Sequence, residues 1–126
     1  MRTATLTSDE VARYLDLAAG AAKLSAQNMA NIDTPGYRAL GMDFESEMKK
    51  AISSAESGGG GEGVEGAQPV HVRLEDGLVA RPDGNNVSMD RESLNLAEAQ
   101  LQFRTGIAVL RQQYQMMMDA IHADSK

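Results

Sequence analysis

The sequence predicts a mainly α-helical protein: two long terminal helices packed as an extended antiparallel, coiled-coil-like hairpin, with a short helix, a flexible glycine-rich segment and a small β-hairpin between them. Three observations point there. Apolar residues recur four and three apart over long stretches near both ends, which is the spacing of a helical seam. Residues 57–66 hold six glycines, a composition that behaves as a tether. Among 126 residues only two Phe and three Tyr supply aromatic bulk, so a thick self-contained core is not expected. The length fits one domain, divided into a first helix over 7–31, a connecting region over 32–87 and a last helix over 88–122.

The first helix is expected to start at Thr7, because Thr7-Ser8-Asp9-Glu10 has capping-box spacing and Leu6 and Val11 hold the positions of a hydrophobic staple. Val11, Leu15, Ala18, Ala22, Ser25, Met29 and Ile32 then form one stripe. Tyr14, Leu17, Ala21, Leu24, Asn28 and Asn31 form a second on the adjoining face, more than a surface helix needs. Asp33-Thr34-Pro35-Gly36 ends it: Pro35 pushes Thr34 out of helical geometry, and Pro-Gly suits the centre of a type II turn. Asn28 and Asn31 sit one turn apart, where their amides can bond carbonyls at the helix end or a neighbouring subunit's backbone, and Tyr37 offers an apolar ring with a polar tip.

A short helix follows over about 43–54, with Phe44, Met48, Ala51 and Ile52 on one face and Glu45 four residues before Lys49. Beyond the glycine-rich tether, Val70, Val72 and Leu74 alternate with His71 and Arg73, and Glu75-Asp76-Gly77 leads to Leu78-Val79-Ala80, the pattern of a small hairpin. Arg81-Pro82-Asp83-Gly84-Asn85-Asn86 is a concentrated turn signal before the last helix, which Ser88 or Asp90 caps. Its main stripe is Leu96, Gln100, Phe103, Ile107, Leu110, Tyr114, Met117 and Ile121, with Leu94, Ala97, Leu101 and Ala108 as a partial second stripe that Arg104 and Arg111 interrupt. Helices of about 24 and 33 residues extend roughly 36 and 50 Å, against a radius of gyration of about 14 Å for a globule of this length, so a rod is expected whose uncovered stripes need other molecules.

Twelve basic and eighteen acidic side chains leave a net charge of −6, which opposes a grip on nucleic acid or anionic lipid. The absence of Cys removes disulfides, thiolate metal sites and cysteine nucleophiles, and two His make no histidine-rich metal site. His71 reads as a surface strand residue and His122 as a cation suited to the negative end of a helix. The oxygens of Asp83, Asn85, Asn86, Ser88, Asp90 and Glu92 do not follow the calcium-loop spacing and read as a turn with a cap. Met116, Met117 and Met118 read as adaptable packing, and the run from Gly58 lacks the Gly-Lys-Ser/Thr of a phosphate loop. No catalytic residue, cofactor or metal is expected. No apolar run is long enough to insert in a membrane, and residues 1–6 lack the apolar stretch of a cleavable secretion signal.

The segment Asn28-Met29-Ala30-Asn31-Ile32-Asp33-Thr34-Pro35-Gly36-Tyr37 resembles the signature of the axial proteins of the bacterial flagellum. With Asp43-Phe44-Glu45 and with Asp83-Gly84-Asn85-Asn86-Val87 ahead of Asp90-Arg91-Glu92, the chain is most similar to the proximal rod proteins of the basal body. The resemblance covers both ends and leaves the glycine-rich middle uncovered. It implies a structural subunit of the periplasmic rod, exported by the flagellar type III apparatus without a cleavable signal peptide. The implied partners are other rod and basal-body proteins and copies of itself, and the motif Asn28, Asn31, Asp33, Thr34, Pro35, Gly36 and Tyr37 is assigned to assembly. A non-polymeric helical adaptor or chaperone for a secretion or flagellar partner is the alternative. A small hydrolase built on Asp83 and Asp90 ranks last for want of a nucleophile.

Overall fold

The computed structural model describes residues 2–57 and 69–125, with side chains from residue 8 onward. In chain order the elements are α1 (Arg2–Ala30), β1 (Leu40–Met42), α2 (Phe44–Glu56), β2 (Val72–Leu74) and α3 (Met89–Ala123). The expectation of a glycine-rich tether falls almost wholly on residues 58–68, outside the described residues.

Helix α1 begins five residues ahead of the expected start at Thr7. A helix cap contributes only about 1 kcal/mol, and residues 2–6 contain no Gly or Pro to stop a helix from running through. Its other end falls at Ala30, where residues 31–36 turn. Tyr37 N–H closes a turn onto Thr34 C=O at 3.2 Å, and Gly36 takes φ 72°, as a Pro-Gly type II turn requires. Helix α2 is capped by Asp43, whose carboxylate accepts from Ser46 N–H at 3.1 Å. Helix α3 is capped by Ser88 and carries Asp90 and Glu92 in its first turn, where the helix dipole favours acids. Its 35 residues extend about 52 Å at 1.5 Å per residue.

The two strands form an antiparallel pair with Leu40 opposite Leu74, Gly41 opposite Arg73 and Met42 opposite Val72. This replaces the hairpin expected between residues 70–74 and 78–80. Residues 78–80 are not strand, and Val79 is 93% exposed. The physical reason lies in α1. Asn28 holds Leu40 by both its N–H and its C=O, so β1 is already fixed as a template for β2. A local hairpin standing alone would be marginal.

Helix α1 packs against α3, α2 and β1. The core is thin, with Leu17, Ala18, Ala39, Val87 and Ala99 as its buried apolar residues among those described. Small side chains set the distance between α1 and α3. A Cβ placed on Gly106 would meet Leu15 Cδ2 at 2.6 Å and Tyr14 Cδ1 at 3.0 Å, so any larger residue would have to displace these side chains. On its other side Tyr14 meets Phe44 of α2 edge to face, with ring centroids 5.2 Å apart.

Candidate functional site: an asparagine clamp and an open seam

Four asparagines build the closed end: Asn28 and Asn31 hold the turn after α1, and Asn85 and Asn86 tie the segment before α3 to it. Asn28 is buried. Its Oδ1 accepts from Leu40 N–H at 2.9 Å and from Tyr37 O–H at 3.1 Å, and its Nδ2 donates to Leu40 C=O at 2.8 Å. The amide therefore satisfies both polar groups of one strand residue as a neighbouring strand would, and its partner is the chain's own backbone. Asn31 takes the helix-end role expected of it: Nδ2 donates to Gln27 C=O at 2.8 Å, and Oδ1 accepts from Thr34 O–H at 3.2 Å.

The Asp83-Gly84-Asn85-Asn86-Val87 segment docks on this turn. Asn85 is fully buried and donates through Nδ2 to Asn31 C=O at 2.9 Å and Thr34 C=O at 2.8 Å, while its Oδ1 accepts from Val87 N–H at 2.8 Å. Asn86 Oδ1 accepts from Ala39 N–H at 2.7 Å. Gly36 N–H donates to Asp83 C=O at 2.8 Å, and the Arg81 guanidinium donates to Ile32 C=O. Gly84 takes φ 84°, which favours glycine, and lies against the first turn, where an added Cβ would sit at an ordinary contact distance of 3.5 Å from the Gly36 Cα. Asp83 and Ser88 thus serve turn and cap geometry, with Asp83 Oδ1 accepting from Asn85 N–H at 3.0 Å.

Beneath the clamp lies Glu92, 1% exposed, with Oε2 lacking a hydrogen-bond partner. Burial, and after it the Glu92 charge, push the Tyr37 phenol up from its ordinary value. Arg91 pairs with Glu75 at 3.1 Å and Arg38 with Asp76 at 3.2 Å, fastening the segment after β2 to the clamp. Glu47 on α2 is drawn below the usual carboxylate range, first by its hydrogen bond from Lys50 at 2.8 Å. His71 stands 3.6 Å from that carboxylate and is otherwise exposed, and His122 Nδ1 contacts Met118 C=O at 2.7 Å in the last turns of α3.

The stripe residues divide by position. On α1, Ala18 is buried and Val11, Leu15, Ala22 and Met29 are half-buried. On α3, Leu96, Ile107 and Leu110 are half-buried, and the fully buried positions between them are Ala99 and Gly106. Phe103 is exposed, and further along Tyr114 (61%), Met117 (51%) and Ile121 (60%) stand open. Met117 lies one heptad beyond Leu110, and Tyr114 and Ile121 lie one and two beyond Ile107, so this open stretch continues the face that packs on α1. Of the remaining motif residues, Asp33, Thr34, Pro35 and Gly36 are exposed and Tyr37 is half-buried.

Sequence reasoning assigned Asn85 and Asn86 to a turn and did not join them to Asn31 and Tyr37. The available signal was their place: amides beside a Gly turn are suited to satisfy a second chain reversal. Gly106 was passed over as well, although an isolated glycine inside a long helical pattern signals close packing.

A helix pair fastened at one end and carrying an uncovered apolar stripe at the other defines a helical structural protein. No family model matches the chain. Among curated proteins it is 34% identical to the flagellar basal body rod protein FlgB of Salmonella typhimurium, over 85% of this chain and 86% of that protein. The corresponding protein of Yersinia enterocolitica is 33% identical (85% and 87% covered), and that of Escherichia coli K12 is 31% identical (86% and 88% covered). The chain belongs to the family of the flagellar basal body rod protein FlgB, structural components of the rod and not enzymes.

Proposed function

We propose that this chain is a subunit of the proximal rod that polymerises through its terminal helices, with copies of itself and with other rod proteins, into the periplasmic drive-shaft. In this reading residues 1–126 act as one rod-type domain whose α1 and α3 form an extended antiparallel, coiled-coil-like hairpin. The motif residues Asn28, Asn31, Asp33, Thr34, Pro35, Gly36 and Tyr37 hold the hairpin's closed end in the shape a neighbour recognises. The subunit reaches the periplasm through the flagellar type III export apparatus.

The observation that carries the reading is the stripe of Tyr114, Met117 and Ile121, apolar, aligned with the α1-facing seam and exposed. Such a stripe is costly to leave in water and is covered when subunits meet. Until then the open end contributes little to folding, so ordering accompanies assembly. Light scattering at rising concentration tests this. An axial subunit forms open or heterogeneous assemblies, whereas saturation at a closed dimer or a fixed heterodimer would select the adaptor instead. Full cooperative folding of a dilute monomer by circular dichroism would count against coupled assembly.

A further inference from the structure

The sides of α1 and α3 that face away from each other carry complementary patterns. On α1, Ala12, Ala19 and Ala26 are exposed at heptad spacing, with Asp9, Asp16 and Lys23 completing the same stripe. On α3 the outward stripe presents Leu94, 69% exposed, and Leu101, 67% exposed, one heptad apart, followed by Ala108. Arg104 and Arg111 stand beside it, also one heptad apart and exposed. Among the described residues, Asp9, Asp16, Arg104 and Arg111 form no ion pair.

We infer that the outward face of α3 docks on the outward face of α1 of a second copy of this chain. Size and charge choose the occupant together. The two exposed leucines need shallow alanine-lined sites, and the two arginines need carboxylates at the same heptad interval. An antiparallel alignment places Leu101 on Ala19 and Leu94 on Ala26. The same alignment brings Arg104 to Asp16 and Arg111 to Asp9, sets Ala108 on Ala12, and lays the Lys23 stem along Ala97. In all six pairs the two residue numbers add to 120, so a single register satisfies every one. Within one copy Gly106 meets Tyr14 and Leu15, which is the same axial register, so neighbouring copies stand level with one another. Because the two faces lie on opposite sides of the helix pair, the contact is head to tail and leaves a free face at each end.

This interface rests on the rod reading and specifies which surfaces meet. The test uses the full chain in two charge-reversed forms, Arg104→Asp/Arg111→Asp and Asp9→Arg/Asp16→Arg, with helical circular dichroism as the check on folding. Each form alone should lose tenfold or more in self-association by sedimentation. An equimolar mixture should recover it, since each form then presents its partner with the opposite charge. Because the chain has no cysteine, Ala19→Cys and Leu101→Cys copies mixed under oxidation should give a covalent heterodimer. Ala12→Cys, about 10 Å further along the helix, should link poorly to Leu101→Cys. Unchanged association of both reversed forms, or equal cross-linking from Ala12 and Ala19, overturns this interface and leaves the rod reading standing. A parent chain that stays monomeric at every concentration overturns both.

Discussion

The two ends of the helix pair satisfy themselves by different means. At the clamp, polar groups are buried and matched: Asn28, Asn85 and Asn86 occupy donors and acceptors of residues 31–40 and 87 that a chain reversal would otherwise strand. At the far end of α3, apolar groups are exposed and unmatched. Polar backbone groups must find partners within a few ångströms at the moment of folding, so the chain supplies them itself. Apolar surface is indifferent to the source of its cover, so it can wait for another molecule. The difference separates what shapes the subunit from what joins it.

The comparison is broken most severely at Asn85. Replacement by Ala strands the buried Val87 N–H, at about 1–3 kcal/mol, and takes the second hydrogen bond from Asn31 C=O and Thr34 C=O, which keep Thr34 N–H and Tyr37 N–H, at about 0.5–1.5 kcal/mol each, so the loss is about 2–6 kcal/mol. That is a large share of the stability of a small domain. Urea unfolding should show the midpoint collapsing for Asn85→Ala, while Asn31→Ala, whose bonds are exposed, loses far less. Next is the middle of the helix pair. Gly106→Val drives methyl groups into Leu15 and Tyr14 and should cost about 1–3 kcal/mol by overpacking, with the α1 to α3 separation as the structural readout.

A smaller effect belongs to Glu47, which pairs with Lys50 one turn on within α2 and lies near His71. Its folded pKa is depressed below 4.5, so its contribution is present above that pH and is lost as pH falls through the lower folded value. Glu47→Gln should therefore be less stable than the parent near neutrality, with the difference closing in acid below about 4.5. At the alkaline end Tyr37 acts with the opposite sign. Its raised pKa favours the folded, protonated form up to about pH 10, and that contribution fades as pH climbs through the folded value. A thermal-stability profile over both limbs checks the two signs.

How far these features were legible follows from the range of the forces. Periodicity is local, so α3 was readable almost to the residue, from the Ser88 cap to Ala123, and so was the Pro35-Gly36 turn. The start of α1 was misread because a capping box looks the same whether or not a helix overruns it. Strand pairing depends on which edge is already fixed. The preference of residues 72–74 for 40–42 was set by Asn28, far away in sequence, and alternation alone pointed to the nearer partner. The clamp was half legible: both of its motifs stood out, and nothing in either spelled out that they bond to each other. On α3 the pattern gave the right helix but could not say which apolar positions would face α1. Ala99 and Gly106 won because small residues permit the closest approach, and that choice left Phe103 exposed at the margin of the contact.

The smallest effect on the subunit should accompany the largest on assembly. Tyr114→Ser, Met117→Ser and Ile121→Ser together remove three side chains that are each more than half exposed, so little burial is lost within one copy. Helix propensity falls by a few tenths of a kcal/mol per site, so the unfolding midpoint of the isolated chain should move by no more than about 1 kcal/mol in total. Burying such side chains against a neighbour is worth about 1.5–3 kcal/mol each for large apolar groups. Their joint removal should accordingly abolish concentration-dependent assembly while the clamp and its hydrogen bonds remain intact. A triple variant that loses stability as steeply as Asn85→Ala would mean that the exposed stripe is already covered within a single copy, and the contrast between the two ends would then disappear.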